Sequence, residues 1–241
     1  MSDPLARPER VVVVAGTGTE IGKTWVGCRL LTHLIAEGHR VAARKPAQSF
    51  DTNDHTTDAD ELAMATGEDA LIVCPPHRRY EVPMAPPMAA EVLGRPAFTV
   101  TELAWEVAAS WPPTPAIHVG LIELAGGTRS PMASDGDGVD LAAACRPDVI
   151  AVVADAGLGT INAVRSTLDT LAGVIEGTAA EGTSAEGTLT HGGSTEVVVH
   201  LNRYDDTNDL HRRNRAWLAE ADGLVLTVEI GELARRVLGN A

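Results

Sequence analysis

The stretch Gly16-Thr17-Gly18-Thr19-Glu20-Ile21-Gly22-Lys23-Thr24 decides the fold, because it joins a run of four valines to an amphipathic segment. The valine run, residues 11–14, predicts a strand that is buried on both faces. The segment from residue 24 to 37 carries apolar residues at helical spacing and stops at Gly38, which predicts a helix. A glycine-rich turn between a buried strand and a helix is typical of a phosphate-binding loop.

The residue types in this loop suit the phosphates of a nucleotide. Successive backbone N–H groups and the helix N-terminus attract an anion, Lys23 reaches the outer phosphates, and the Thr24 hydroxyl is placed to bind Mg²⁺. The stretch departs from the pattern G-x-x-x-x-G-K-[ST], since Thr17 occupies the first glycine position and Gly16 stands one residue earlier. The strand–loop–helix context still predicts a phosphate-binding loop.

The remainder of the chain alternates predicted strands with predicted helices. Further strands are predicted at residues 40–44, 117–124, 149–154, 196–201 and 224–228, and further helices at residues 58–66, 99–109, 161–175, 208–220 and 232–238. This alternation predicts a single α/β domain over residues 1–241, with a doubly wound, mostly parallel sheet flanked by helices, as in P-loop NTPases.

Residues 176–195 differ in composition from the rest of the chain. Glu-Gly-Thr occurs there three times at a five-residue step, starting at Glu176, Glu181 and Glu186, and Leu189 is the one bulky apolar residue. Such a composition buries too little apolar surface to offset the entropy of ordering. We therefore predict a flexible surface insertion, with an ordered lid or docking element as the alternative.

Composition excludes several classes of protein. The chain of 241 residues carries 19 basic and 33 acidic side chains, a net charge of −14, which disfavours binding to a nucleic-acid backbone. Cys28, Cys74 and Cys145 are too widely separated for a disulfide framework or a metal knuckle. No apolar run approaches the roughly 18 residues that cross a bilayer. We expect a soluble, cytoplasmic protein without nucleic-acid or membrane partners.

Four side chains outside the loop are candidates for the same site. Glu123 ends the apolar run of residues 117–122, and an acid at that end of a strand reaches metal or substrate when a phosphate loop lies beside it. Asp60 stands at a predicted helix start and is a candidate metal ligand. The alternative is that it only stabilises the helix N-terminus, where the helix dipole favours an acidic side chain. Lys45 ends the second strand and is predicted to face the crevice that contains the phosphate loop. The alternative is an ordinary charged residue at a strand end. Ser49 follows it and could donate to an anion.

Taken together, these motifs resemble dethiobiotin synthetase in their order and rough spacing. Besides the phosphate loop, the resemblance is carried by Lys45-Pro46-Ala47-Gln48-Ser49, Asp58-Ala59-Asp60, Glu123-Leu124-Ala125-Gly126-Gly127, Leu158-Gly159-Thr160-Ile161-Asn162 and Leu201-Asn202-Arg203. It runs from Val11 to about Leu218, with residues 176–195 as an insertion. It implies an ATP- and Mg²⁺-dependent cyclo-ligase of biotin biosynthesis. In that reaction 7,8-diaminopelargonate captures CO₂ as a carbamate, ATP phosphorylates the carbamate, and the second amine closes the ring.

The resemblance also implies a role for each matching position. Lys45 and Lys23 would be catalytic, and Thr24, Asp60 and Glu123 would hold Mg²⁺. The nucleotide would be lined by Glu20, Ile21, Gly22, Lys23, Thr24, Trp25, Asp60, Glu123, Ala125, Gly126, Asn202 and Arg203, with Asn202 at the base. The diamine would be contacted by Thr19, Ser49, Gly159 and Asn162. The resemblance further implies a homodimer with the active site at its interface, in which the region of Gly159 and Asn162 serves the other subunit's substrate.

Three departures from the family pattern keep an alternative open. Leu124 stands where the family usually has glycine, Phe50 replaces the glycine after Ser49, and residues 222–232 lack the proline that usually shapes the base pocket. The alternative is a nucleotide-binding paralogue without ligase activity, in a regulatory or partner-binding role. A partition-type ATPase acting on DNA or a membrane ranks last, because no basic patch or amphipathic tail is evident in the sequence.

Overall fold

The computed structural model of the chain describes residues 6–113, 116–180 and 195–240, of which residues 175–180 are described by their backbone alone. The strands are β1 (Arg10–Gly16), β2 (Val41–Arg44), β3 (Gln48–Ser49), β4 (Arg79–Tyr80), β5 (Val119–Glu123), β6 (Pro131–Ala133), β7 (Gly136–Asp137), β8 (Val149–Asp155), β9 (Glu196–Asn202) and β10 (Leu226–Thr227). The α-helices are α1 (Lys23–Ala36), α2 (Asp58–Thr66), α3 (Ala70–Val73), α4 (Pro86–Val92), α5 (Val100–Ala109), α6 (Gly138–Cys145), α7 (Thr160–Ala180), α8 (Asp209–Glu220) and α9 (Ile230–Leu238).

Six strands form the central sheet, in the order β10-β9-β8-β1-β5-β2, and every neighbouring pair is parallel. β1 lies in the middle, so the chain winds outward from it in both directions. The predicted doubly wound α/β fold is confirmed. Two small sheets accompany it, the parallel pair β3–β4 and the antiparallel pair β6–β7.

Helices cover both faces of the sheet, because its strands are apolar on both sides. Alternate residues of β1 show this, since Val11 and Val13 pack into one buried cluster and Val12 and Val14 into the other. One cluster includes side chains of α1, α2 and α9, and the other includes side chains of α5, α6, α7 and α8. The two faces therefore carry different helix layers, and a residue's place in the alternation decides which layer it meets.

The parallel register brings the carboxyl ends of the strands to one edge of the sheet. Val14 of β1 is paired with Glu123 of β5, and Asp155 of β8 with Asn202 of β9. The phosphate-binding loop leaves β1 at the same edge, and ligands of doubly wound proteins bind beyond this edge. The sequence motifs that lie far apart along the chain therefore meet there.

Most predicted elements agree with the structure to within about two residues, and the differences are local. The helix predicted at residues 161–175 begins at Thr160 and continues to Ala180, so it is longer than predicted and includes residues 176–180, the first part of the predicted insertion. Thr195, at its other end, is buried and donates to the Pro147 carbonyl. Residues 181–194 lie outside the described residues.

Several short elements, among them β3, β4, α4 and α6, were not predicted from the sequence. Within the described ranges, the structure contains no helix that is long and apolar enough to cross a membrane.

Candidate active site

The phosphate-binding loop carries its lysine folded back against its own backbone. Lys23 Nζ donates to the Gly18 carbonyl over 2.8 Å. The stem of Lys23 passes over Gly16, where a Cβ would lie 2.9 Å from Lys23 Cδ, so any larger residue would displace the lysine side chain. Gly22 has a φ of 91°, in the left-handed region that favours glycine, where the loop enters α1. The shape of the loop therefore favours glycine at both positions.

Lys45 joins three elements that are distant in sequence. It follows β2, its side chain is 2% exposed, and Nζ lies 2.6 Å from Glu123 Oε1 and 2.7 Å from Asp58 Oδ2. Glu123 ends β5 and Asp58 begins α2. Lys45 is thus an ammonium bound between two carboxylates, and the alternative of an ordinary strand-end charge does not describe it.

Thr24 completes this arrangement from the phosphate-binding loop. Its Oγ1 lies 2.9 Å from Glu123 Oε1 and 3.0 Å from Asp58 Oδ1. We call Thr24, Lys45, Asp58 and Glu123 the Lys45 cluster. It places a hydroxyl, an ammonium and two carboxylates directly beside the loop.

Burial and mutual attraction set the charges of these groups. Burial lowers the pKa of Lys45, but Glu123 and Asp58 together outweigh it, so the pKa of Lys45 is raised. Burial raises the pKa of Asp58, and contact with Lys45 more than offsets this, so the net shift is downward. Complete burial raises the pKa of Glu123, and Lys45 only partly opposes the shift. Burial, followed by repulsion from Lys45, lowers the pKa of Lys23 to about 8.

The Lys45 cluster fits Mg²⁺ by the chemistry of its donors. Glu123 Oε2 is buried and has no hydrogen-bond partner among the described residues, although its other oxygen accepts from Lys45. Mg²⁺ prefers hard oxygen ligands, and beside substrate phosphates it needs only one or two carboxylates. Among the described residues no group of three or more His, Cys, Asp and Glu side chains converges on a metal site, and the Lys45 cluster itself supplies two carboxylates.

Asp60, the acid predicted for the metal, lies outside this cluster in the structure. It is the third residue of α2 and forms a capping box with Thr57, in which Thr57 N donates to Asp60 Oδ2 over 2.9 Å. Arg79 Nη2 also donates to Asp60 Oδ1 over 3.1 Å. Asp60 is thus engaged by the helix cap and by Arg79, while Asp58 reaches Thr24. The geometry favours Asp58 over Asp60 as the second acid, and the sequence analysis did not assign Asp58 to the site.

Asn202 and Arg203 support the far side of the phosphate-binding loop. Asn202, buried at the end of β9, donates through Nδ2 to the Ile21 carbonyl over 2.8 Å. Arg203 Nη2 donates to the Glu20 carbonyl over 3.2 Å, and Arg203 Nη1 lies 3.3 Å from Asp155 Oδ2. The amide of Asn202 therefore holds the loop in this structure. The sequence predicted that Asn202 contacts the nucleotide base and did not predict this contact with the loop.

A cavity of about 810 Å³ opens next to Asn202. It is lined by Gly22, Trp25, Arg29, His33, residues 200–204 and residues 228–231. Residues 228–231 comprise the connection from β10 to α9 and the first two residues of α9, and they fall within the stretch that lacks the family's proline. Trp25 is half-exposed at the start of α1. The structure thus has a cavity with ample room for a nucleobase beside the phosphate-binding loop, although the family's proline is missing there.

The turn after β5 packs against the same loop. A Cβ on Gly127 would lie 3.5 Å from Gly18 Cα, and one on Gly126 would lie 3.8 Å from Thr19 Oγ1. Leu124, which precedes this turn, is fully buried in the cluster that contains side chains of α5 and α6. Its side chain therefore fills the core, which removes one of the three observations that favoured a paralogue without ligase activity.

Of the residues predicted to contact the diamine, Thr19 lies on the phosphate-binding loop, and the other three lie in two separate places. Ser49 ends β3, and its hydroxyl donates to the Met84 carbonyl. Phe50 follows it, with the Arg79 guanidinium 6.0 Å from its ring centre. Gly159, with a φ of 93°, precedes α7, and Asn162 is exposed on the first turn of that helix. Described contacts connect neither of these places to the Lys45 cluster directly.

The arrangement as a whole can hold a polyphosphate and stabilise negative charge. Lys23 and the loop backbone attract phosphate, Thr24 with two carboxylates suits a divalent cation, and Lys45 supplies a permanent positive charge between them. Positioning and charge stabilisation are therefore the chemistry it supports, as in phosphoryl transfer.

The chain is similar to known proteins over about two thirds or more of its length. A family profile described as "AAA domain" matches residues 10–208. The chain is 36% identical over 167 residues to "ATP-dependent dethiobiotin synthetase BioD" of Anaeromyxobacter dehalogenans, covering 67% of this chain and 70% of that protein. It is 36% identical over 160 residues to the protein of the same name from Caulobacter vibrioides, covering 66% and 72% of the two chains.

A solved structure supports the fold alone. Cobyrinic acid a,c-diamide synthase from Mycobacterium smegmatis, with a bound ATP analogue and magnesium, aligns with a TM-score of 0.54 at 15% identity. The alignment covers 94% of this chain and 91% of that one. At this identity the likeness concerns the arrangement of strands and helices.

Proposed function

The chain belongs to the dethiobiotin synthetase family, and we propose that it forms dethiobiotin from 7,8-diaminopelargonate, CO₂ and ATP. One amine of the diamine adds to CO₂ and gives a carbamate. A carbamate oxygen then takes the γ-phosphoryl group of ATP, with release of ADP. The second amine attacks the carbonyl carbon of this carbamic–phosphoric anhydride, which closes the ureido ring and releases phosphate. The observation that carries the proposal is the Lys45 cluster beside the phosphate-binding loop.

We assign the metal ligands to Thr24, Asp58 and Glu123, with Asp58 in place of Asp60. Bound Mg²⁺ would neutralise charge on the phosphates of the nucleotide. The unpartnered Oε2 of Glu123 and the 3.0 Å contact between Thr24 and Asp58 support this set. Asp60 supports the site indirectly, because it caps the helix that begins with Asp58.

Each of the two lysines is proposed to stabilise the negative charge of a different reacting group. Lys23 attracts the transferring phosphoryl group, since it lies on the loop that binds phosphate. Lys45 remains protonated between its two carboxylates and offers a positive charge to the carbamate. Its complete burial supports a fixed position, which is the condition for electrostatic stabilisation of a reacting group.

The nucleotide is proposed to run from the loop into the neighbouring cavity. Residues 20–25 and the Ala125–Gly126 turn line its phosphates and sugar, and the base enters the cavity beside Asn202 and Arg203. The volume of that cavity, about 810 Å³, is ample for a nucleobase. In this proposal Asn202 both supports the Ile21 carbonyl and borders the base.

The diamine is proposed to bind between two copies of the chain. Thr19 and Ser49 contact it in one subunit, and Gly159 and Asn162 of the other subunit receive its carboxylate tail. Leu158, beside Gly159, is an apolar side chain that is 92% exposed, which supports an interface at this point. Sedimentation analysis of the wild-type protein and Leu158→Asp tests the dimer, which the variant is expected to weaken.

Incubation of the protein with diaminopelargonate, bicarbonate, ATP and Mg²⁺ tests the proposed reaction. We expect dethiobiotin, ADP and phosphate in equal amounts, and no dethiobiotin from Lys45→Met. Absence of dethiobiotin with each of several nucleoside triphosphates would overturn the proposal. Titration with the diamine then distinguishes the paralogue without ligase activity, which binds nucleotide and does not bind diamine.

A further inference from the structure

Gln48 occupies a position at which both ends of its side chain are bonded to the start of α2. It is buried in β3, three residues after Lys45. Its Nε2 donates to Thr57 Oγ1 over 3.0 Å, and its Oε1 accepts from Ala59 N over 3.0 Å. These two residues immediately precede and follow Asp58. One amide side chain therefore holds the Thr57 hydroxyl on one side of the proposed metal ligand and the Ala59 backbone on the other.

A second contact to the same helix start comes from the neighbouring strand. Gln48 of β3 is paired with Arg79 of β4, and Arg79 Nη2 donates to Thr57 Oγ1 over 3.1 Å as well as to Asp60. The small two-stranded sheet therefore presents two side chains to the first turn of α2. The β3–β4 pair therefore supports the first turn of α2 through these two side chains.

Asp58 depends on this support because its own side chain is short. With two rotatable bonds it must reach both Thr24 Oγ1, at 3.0 Å, and Lys45 Nζ, at 2.7 Å. A small shift of its backbone therefore moves the carboxylate out of reach of one partner. Residues that orient metal ligands in this way commonly change metal affinity by about 10- to 100-fold when they are removed.

We infer that Gln48 is a positioning residue that fixes Asp58 for divalent-cation binding. The inference rests on the metal role given to Asp58 in the proposed function. Direct contact of Gln48 with a ligand does not explain the geometry, because the side chain is 2% exposed and both ends are engaged. Its action is through the backbone of α2, whose first residue carries the carboxylate.

The test measures metal binding without the ligase reaction, so that it stays independent of dethiobiotin formation. Mg²⁺ is titrated into the protein with saturating ADP, and the midpoint is followed by calorimetry. Gln48→Met keeps the volume and removes both hydrogen bonds. We expect its Mg²⁺ midpoint to rise about tenfold or more, with ADP affinity in EDTA changed by less than about twofold.

A double variant separates positioning from general loosening. In an Asp58→Asn background, Gln48→Met is expected to add less than about a twofold further change in the Mg²⁺ midpoint, because the ligand that it positions is gone. Asn214→Leu is the matched control. It removes another buried amide, which bridges the carbonyls of Ala156 and Gly157, and it should lower Tm without moving the Mg²⁺ midpoint.

Thr57 supplies a second route to the same answer if Gln48→Met does not fold. Thr57→Ser keeps the hydroxyl that accepts from Gln48 and should behave as wild type, whereas Thr57→Val should raise the Mg²⁺ midpoint. A folded Gln48→Met with an unchanged midpoint would overturn the inference. So would an equal shift in the Asp58→Asn background, or a Thr57→Val variant indistinguishable from Thr57→Ser.

Discussion

Replacement of Lys45 by methionine is expected to destabilise the protein strongly at neutral pH. Methionine keeps most of the volume but leaves Glu123, whose side chain is 0% exposed, without its positive partner. Asp58 suffers less, because its side chain is 46% exposed and water can solvate it. The loss is therefore concentrated on one buried carboxylate.

The size of the effect follows from the burial of the pair. Removal of one member of a buried ion pair costs about 3–5 kcal/mol, since the other charge stays desolvated. In a chain of this length about 1 kcal/mol moves Tm by roughly 2–4 °C, so we expect a fall in Tm of roughly 6–20 °C. An exposed pair such as Arg213 with Asp209 provides the control, and Arg213→Met should leave Tm nearly unchanged.

The pH dependence of the loss identifies Glu123 as its source. Without Lys45, the pKa of Glu123 in the folded protein rises further above its unfolded value, so the folded variant gains stability as pH falls through that raised value. Wild-type Lys45 has a raised pKa and Asp58 a lowered one, so neither titrates between about pH 5 and 8, and Lys23, with a pKa of about 8, titrates only at the upper end of this range. The deficit should therefore be largest near pH 8 and shrink towards pH 5.

Urea and thermal unfolding in EDTA at several pH values measure this deficit. The double variant Lys45→Met/Glu123→Gln should recover at least half of the lost stability, because the carboxylate that lost its buried partner is replaced by a neutral amide. A deficit that does not change with pH would refute the reasoning. The same holds for a double variant that is no more stable than Lys45→Met alone.

Three further perturbations test the remaining parts of the site. Affinity for ADP, measured by calorimetric titration, should fall about tenfold from pH 7 to 9, because the pKa of Lys23 is about 8 and its charged form binds phosphate. Lys23→Arg should abolish this pH dependence. Asp58→Asn should raise the Mg²⁺ midpoint at saturating ADP by about tenfold or more, whereas Asp60→Asn should chiefly lower Tm through the lost cap and move the midpoint several-fold less. Gly22→Ala should weaken ADP binding more than about tenfold, because its Cβ would meet the Asn202 amide, and Gly38→Ala, with a similar φ and open space, is the control that should bind ADP normally.

The sequence predicted the framework well, because that framework is set by short-range patterns. The valine run, the glycine-rich loop and the helical spacing after it predict β1, the loop and α1. The order of the strands across the sheet was not predicted, since it depends on contacts between residues far apart in the chain. β3 and β4 were also missed, because two-residue strands carry no periodicity.

The sequence prediction placed Asp60 at the metal, whereas the structure places Asp58 beside Thr24. Thr57 and Asp60 stand three residues apart at the start of a helix, which is the spacing of a capping box. A capping residue at the third helical position turns its side chain back to the N-cap, and is then unavailable to a metal. The sequence therefore contained a signal against Asp60, and Asp58, at the first helical position, was the acid left free.

Alternation along β5 accounts for the departure at Leu124 in the same physical terms. Successive side chains of a strand point to opposite faces of the sheet. Val119 and Leu121 pack into the cluster with α1 and α2, so Glu123 emerges on that face, where Thr24 and Asp58 lie. Leu124 takes the opposite face and joins Ile122 in the other cluster. A large apolar residue can follow the metal-site acid because the pleat of the strand directs it away from the phosphates and into the core.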